Sequence, residues 1–392
     1  MKDVIKVIYI LNSSTLFGGA NKSFLAMLQL LCRRGVEPLV VTPDTDGIYK
    51  YLGDNGVRTL SLNYRMQVYP PVHSIVDVVL WLPRLCGRLL LNHQAARRLA
   101  QVCRDWNADL VHTNVSVINI GYMAAKYVGI PHVWHIREYG DLDFAFHYIW
   151  NKRQQHARYR RPKSYTICIT KDIQRYNNLS GCDASKVIYN GIISGDTEPA
   201  LCRKNKYFLY VGRLEPAKGI ADLIAAYAEY RHKVANPLPL FIAGDTDDKQ
   251  YKSFLRSQVE HLEIQPYLNF LGMCDNVNSL YAEALAVVVP SVHEGFGRVV
   301  AEAMNMGCPV IVHDVAGISE QLENGRALTG NEIGFGYTTH EQLVSLLVRL
   351  TNEENVNLEK IAADALNTVR QLYTSEKNAE SVYLFYQNIL EG

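Results

Sequence analysis

Short apolar runs alternate with longer amphipathic stretches along most of the chain. KVIYIL, Lys6 to Leu11, is rich in β-branched residues and leads through SSTLFGGANKS into FLAMLQLLCRRG, where apolar residues recur at helical spacing until Gly35. PLVVTP, TLSLN, DLVHTN, PHVWHI, KSYTICIT and KVIYNG read as further short strands, with helical segments between most of them. Alternation of this kind predicts parallel βαβ units in a doubly wound sheet. The pattern breaks over 197–206 (TEPALCRKNK), a polar stretch read as a linker, and then restarts with KYFLYVG, a helix over Pro216 to Tyr230, PLFIAG, a polar helix to Leu262, YLNFLG, a helix over NSLYAEA, AVVVP, a helix over RVVAEAMNMG, and PVIVHD. Two Rossmann-like sheets in series fit this better than one, with an N-terminal domain over 1–195 and a C-terminal domain over 206–372. The tail, 373–392, holds an amphipathic helix from Glu376 to Leu390, for which the N-terminal domain is the expected packing surface.

Composition agrees with two soluble domains: 392 residues, 48% hydrophobic and 20% charged. There is no apolar run of the roughly 18 residues that a membrane span needs, and the apolar stretch of MKDVIKVIYILNSS is too short for a signal peptide, so the cytoplasm is the expected compartment. The cysteines are scattered without CxxC pairs or zinc spacings and read as reduced, mostly buried small side chains.

Charge changes the picture more. The net charge is only +1, yet residues 1–190 carry 24 Lys and Arg against 13 Asp and Glu, whereas the remainder carries 16 against 26. The first half is therefore expected to meet something anionic. Arg84, Arg88, Arg97, Arg98 and Arg104 lie in a leucine- and valine-rich segment, and Lys152, Arg153, Arg158, Arg160, Arg161 and Lys163 form a second cluster. The ordinary reading buries the leucines and solvates the arginines; the alternative is peripheral binding of this domain to the anionic inner face of a membrane. Nucleic acid is disfavoured, because no binding module is recognisable and aromatics are not interleaved as stacking platforms.

Candidate chemistry concentrates in HEGFGRVVAEAMNMG, His293 to Gly307. It follows a buried strand, where ligands of open α/β sheets sit. Gly295 and Gly297 open the backbone amides at the start of the next helix to an anion. Glu294 and Glu302 would lie on the order of 10 Å apart along the axis, which matches the spacing of the two sugars in a nucleotide diphosphate-sugar. Alone, such a pair is more often a loop residue and a solvated helix residue. The context is YVGRLEPAKGI, in which Arg213 and Lys218 follow another strand; two cations there would neutralise a diphosphate leaving group.

These two motifs, with VIYNGI at 187–192, FGGA at 17–20 and PHVWHIRE at 131–138, resemble glycosyltransferase family four. The resemblance implies an α/β GT-B fold, two Rossmann-like doubly wound parallel-sheet domains facing each other across a cleft that opens and shuts. It implies a retaining, metal-independent transfer of a hexose-type sugar from a UDP- or GDP-linked donor to a glycan or a lipid-pyrophosphate-linked glycan, in cell-surface polysaccharide biosynthesis, with no cofactor beyond the nucleotide sugar. In it Glu302 would bind the ribose, Glu294 the transferred sugar, and Arg213 and Lys218 the diphosphate, assisted by the amides of Gly295, Phe296 and Gly297. Gly18 and Gly19 would close over the donor phosphates, His135 would line the sugar site, and Asn190 and Gly191 would complete the donor site. Arg298 departs from the aliphatic or small residue common at that position.

Rival signals are weaker. Asp44-Thr-Asp46, Asp141-Leu-Asp143 and Asp245-Thr-Asp247 each fit a DxD manganese pattern, but aspartate in loops is usually turn chemistry. FGGANKS lacks the GxGxxG of a nicotinamide enzyme. A sugar-nucleotide epimerase of the same fold, or a non-catalytic glycan- or membrane-binding scaffold, are the alternative functions.

Overall fold

The computed structural model describes residues 4–16, 18–70, 72, 74–193, 206–274, 276–352 and 356–392. The 197–206 linker, apart from Lys206, Cys202 within it and Phe17 of FGGA lie outside these. In chain order the first elements are β1 (Ile5–Ile10), α1 (Gly19–Arg33), β2 (Val36–Thr42), α2 (Ile48–Asp54), β3 (Arg58–Ser61), α3 (Ile75–Asp105), β4 (Leu110–Thr113), α4 (Ile120–Val128), β5 (His132–Ile136), α5 (Asp141–Phe144), α6 (Lys152–Tyr159), β6 (Ser164–Cys168), α7 (Lys171–Tyr176) and β7 (Ser185–Val187). There follow β8 (Phe208–Val211), α8 (Ile220–Lys233), β9 (Leu240–Ala243), α9 (Lys249–His261), β10 (Leu268–Gly272), α10 (Asn278–Glu283), β11 (Ala286–Val289), α11 (Arg298–Asn305), β12 (Val310–His313), α12 (Ala316–Thr329), β13 (Phe335–Tyr337), α13 (His340–Thr351), α14 (Leu358–Leu372) and α15 (Ser375–Glu391).

The chain divides into two compact units, Met1–Gly191 with Ser375–Gly392, and Ile192–Thr374. The first holds a seven-stranded parallel sheet ordered β3-β2-β1-β4-β5-β6-β7. The second holds a six-stranded parallel sheet ordered β10-β9-β8-β11-β12-β13. Both are doubly wound. Their inner strands are buried on both faces, as the uninterrupted apolar runs require of parallel strands covered by helices on each side.

In each sheet the order reverses once, between β1 and β4 in the first unit and between β8 and β11 in the second. At such a point adjacent strands send their loops in opposite directions and leave a crevice beyond their carboxyl ends. The candidate motifs leave those strands.

Helix α15 buries Val382, Phe385, Tyr386 and Ile389 in the first unit, among Tyr9, Phe24, Met27 and Leu31. Helix α3 departs from the expected pattern. Only its C-terminal half, with Asn92, Ala95, Ala96, Leu99, Ala100 and Cys103, is buried, and many apolar residues of its N-terminal half face solvent. The helix expected over Pro216–Tyr230 is likewise divided: Pro216–Lys218 is a single 3-10 turn, and α8 begins only after Gly219 in left-handed conformation. Of the cysteines expected to be mostly buried, Cys103, Cys168 and Cys308 are, while Cys32 and Cys86 are exposed.

Candidate active site

In the second unit the loops after β8 and β11 lie against each other. Val292 N donates to the Ala217 carbonyl at 3.0 Å. A Cβ on Gly219 would stand 2.0 Å from the Pro290 carbonyl oxygen, so only glycine permits this approach, and its φ of 66° compounds the requirement. Farther along, a Cβ on Gly317 would meet the Gly295 carbonyl at 2.2 Å, and Gly317 N donates to the Glu294 carbonyl. The Gly295–Gly297 turn is thus backed by the first residues of α12.

This packing brings Lys218 and Glu294 together: Nζ donates to Oε2 at 2.6 Å, with both side chains about one quarter exposed. Arg213 pairs with Glu215 at 2.6 Å. Gly297, at φ 83°, precedes α11, and Gln321 Nε2 donates to the carbonyls of both Phe296 and Gly297, which leaves the amide side of the turn at the helix start. Phe296 is buried edge-to-face on Tyr373, with centroids 5.2 Å apart. Glu302 lies one turn into α11 and receives Arg298 at 3.1 Å, an i,i+4 pair. Arg298 therefore has a definite local function, holding the Glu302 carboxylate at one side of the helix.

A cavity of about 200 Å³ adjoins this crevice, lined by Leu214, Gly244, Asp245, Lys252, Phe270 and Leu271 among others. Sequence reasoning singled out Asp245 only as part of a metal pattern. Both its carboxylate oxygens accept from Lys252, at 2.7 and 2.8 Å, which holds its carboxyl below the usual range. Asp141 is paired with Lys152, and Asp143 accepts from the Tyr139 and Gly140 amides.

In the first unit, Gly18 and Gly19 stand at the N-terminus of α1, directly beyond β1. The Asn21 amide donates to the Ser13 and Thr15 carbonyls and closes this loop on itself. Beyond β4, β5 and β7 a second group converges. Arg137 donates to Asn114 Oδ1 at 3.0 Å, to Asn190 Oδ1 at 2.5 Å and to His135 Nδ1 at 3.2 Å. Gly191, next to Asn190, lies against the start of α15.

His135 sits at zero exposure on β5, deeper than a sugar-lining residue would. Because its Nδ1 accepts from Arg137, the ring carries its proton on Nε2, and that atom has no partner among the described residues. His112 Nε2 lies 3.2 Å from the same Nδ1, and His112 Nδ1 is 2.5 Å from Tyr386 Oη on α15. Burial, reinforced by the Arg137 charge, holds both histidines well below their ordinary pKa, so both are neutral. Glu138 accepts from the amide and hydroxyl of Ser116, yet burial still pushes its carboxyl up to about 7.

Asn114, Arg137 and Glu138 were not among the expected site residues. Two of them stand in the quoted PHVWHIRE, and their places immediately past strand ends were the available signal. The partnership of His112 with Tyr386 spans 274 positions, and nothing local announces it.

Comparison with known proteins accords with this geometry. Residues 17–194 match the family model for Glycosyltransferase Family 4, and residues 197–365 match that for Glycosyl transferases group 1. The chain is 31% identical over 247 residues to an uncharacterised glycosyltransferase of Methanocaldococcus jannaschii, covering 57% of this chain and 59% of that one. It is 26% identical over 361 residues to a glycosyltransferase assigned to teichuronic acid biosynthesis in Bacillus subtilis, covering 85% and 86%. The chain spans about half the length of most of the curated relatives it matches. Among solved structures, HepE of Anabaena in complex with UDP superposes with a TM-score of 0.75 at 21% identity, covering 98% of this chain and all of that one. With both halves matched in order and two doubly wound units of the GT-B type, the chain belongs to glycosyltransferase family four, of the group 1 type.

Proposed function

We propose that the protein is a retaining glycosyltransferase that moves a sugar from a nucleoside diphosphate-sugar to a glycan or lipid-linked glycan. The observation that carries this is the Lys218–Glu294 ion pair beside the turn before α11, at the strand-order reversal of the second unit, with Arg213 on the same loop after β8 as Lys218. The relatives' names and the UDP in the Anabaena structure support a nucleotide-sugar donor, and the Bacillus relative supports a cell-surface glycan as product.

In this reading the donor diphosphate lies over the N-terminus of α11, where the helix dipole favours negative charge. Arg213 and Lys218 hold the phosphate oxygens, and their attraction grows as the C1–O bond breaks and charge collects on the leaving group. The acceptor hydroxyl attacks C1 from the face the diphosphate leaves, and the departing phosphate oxygen takes its proton, so configuration is retained. Glu302 accepts from the ribose hydroxyls, while Glu294, steadied by Lys218, accepts from hydroxyls of the transferred sugar. The same cations and helix terminus supply the positive potential for which other transferases use a metal ion. His135 serves from beneath by keeping Arg137 between Asn114 and Asn190.

The test is hydrolysis or transfer from a panel of UDP- and GDP-sugars with and without EDTA, with the released anomer followed by NMR. Retention that survives EDTA is expected. First-formed product of inverted configuration, or strict dependence on added metal, would remove the mechanism.

A further inference from the structure

The N-terminal half of α3 turns an apolar face outward. Ile75 is 85% exposed, Val79 71%, Leu82 61% and Leu90 59%; their spacing of three, four and eight places them on one side of the helix, with exposed Cys86 between. The opposite side makes the contacts that tether the helix. Trp81 stacks on Tyr69 with centroids 5.4 Å apart, Arg88 donates to the Val68 carbonyl, and Asn92 bonds the amide and carbonyl of Arg65 at 2.8 and 2.9 Å. The apolar face is therefore presented by a helix tethered at Trp81, Arg88 and Asn92. Continued toward the C-terminus at seven-residue steps from Leu90, the same face carries exposed Arg97 and Arg104.

The surroundings are basic. Residues Gln67–Tyr69, packed on α3, pair with His147–Ile149 through the Val68–Tyr148 bridge, and that strand of chain runs into Lys152 and Arg153 at the start of α6. These two, with His156 and Arg160, line a cavity of about 510 Å³. The whole unit carries 25 Lys and Arg against 16 Asp and Glu. Between Ile75 and Arg104 the sole acid is Asp77, which is occupied by Arg84 and by the Ser74 cap.

We propose that the first unit docks on an anionic lipid bilayer through this face of α3, with Ile75, Val79, Leu82 and Leu90 among the acyl chains and Arg97, Arg104 and the α6 cations at the headgroups. Branched aliphatics on one side and cations without acids along the same stripe match an anionic interface better than a protein surface, which would demand complementary acids at defined points. No helix among the described residues is long and apolar enough to cross a membrane, so this contact is interfacial.

Flotation of the full chain with phosphatidylcholine vesicles, with or without a third of phosphatidylglycerol, tests it at low and high salt. The protein should float with the anionic vesicles at low salt only. Ile75→Asp/Val79→Asp/Leu82→Asp should lower partitioning at least about tenfold while melting like the parent, since these side chains are mostly in water already. Arg97→Glu/Arg104→Glu, independent of the apolar set should that fail to fold, should lower it about tenfold on anionic vesicles. Equal binding to neutral vesicles, a folded triple variant that still binds, or a dimer in sedimentation that the triple variant abolishes while vesicles stay unbound would each overturn the proposal.

Discussion

Lys218 and Glu294 form an ion pair at 2.6 Å that ties the loop after β8 to the loop after β11. Each is 76 positions from the other in sequence, and the contact exists because Gly219 lets the two backbones touch. The pair pre-sets both groups: the ammonium is held at the crevice, and the carboxylate is oriented by the cation that, in the proposed reaction, would face the leaving group.

Replacing Lys218 should therefore impair more than charge. A charge-assisted hydrogen bond contributes roughly 1.5–3 kcal/mol, so Lys218→Ala should reduce kcat/KM by roughly 10- to 150-fold, with the loss mainly in kcat. Arg213→Ala/Lys218→Ala should lose most activity. Near-normal turnover of the double variant in a donor-hydrolysis assay would refute the assignment.

Glu302 should matter for nucleotide binding. Glu302→Ala is expected to weaken UDP or GDP binding about tenfold or more by calorimetry, because the ribose would lose an acceptor. Arg298→Ala, which leaves the carboxylate in place, should have a smaller effect. Unchanged nucleotide affinity in Glu302→Ala would assign the ribose elsewhere.

Gly219→Ala tests the joint between the loops. The left-handed conformation and the 2.0 Å approach to the Pro290 carbonyl together should cost about 3 kcal/mol. At roughly 2–4 °C per kcal/mol for a chain of this size, the melting temperature should drop by roughly 6–12 °C. A melt within a degree or two of the parent would show that the loops separate freely.

Stability should fall on the acid side. Burial lowers His112 and His135 well below the ordinary histidine value and His132 to about 3. The unfolded chain takes up protons at these positions as pH falls below about 6.5 while the folded chain does not, so acidification favours unfolding. Glu138 acts in the opposite sense: its folded carboxyl, raised to about 7, costs stability above that pH and is relieved as pH falls toward 4.5. Glu138→Gln should accordingly raise the melting temperature at pH 8, and the gain should shrink as pH falls below about 7 and be mostly gone by pH 4.5. A gain that grows on acidification would contradict the burial of Glu138.

Much of this protein was determined by its sequence alone. Strand and helix alternation follows from local periodicity, and each strand-loop-helix motif places its own residues at a carboxyl strand end, so the fold class, the two sheets and the positions of Arg213, Lys218, Glu294 and Glu302 were legible. The tertiary structure decided what local pattern cannot encode: which distant groups meet, and which faces stay bare. His135, expected at a ligand surface, is buried beneath Arg137, and Tyr386 reaches His112 because α15 completes the first unit's core. The valines and leucines of α3 carry the same apolar pattern whether covered or open; what distinguishes the two halves is that, among the described residues, the apolar side chains of the N-terminal half stay largely in solvent while those of the C-terminal half are buried.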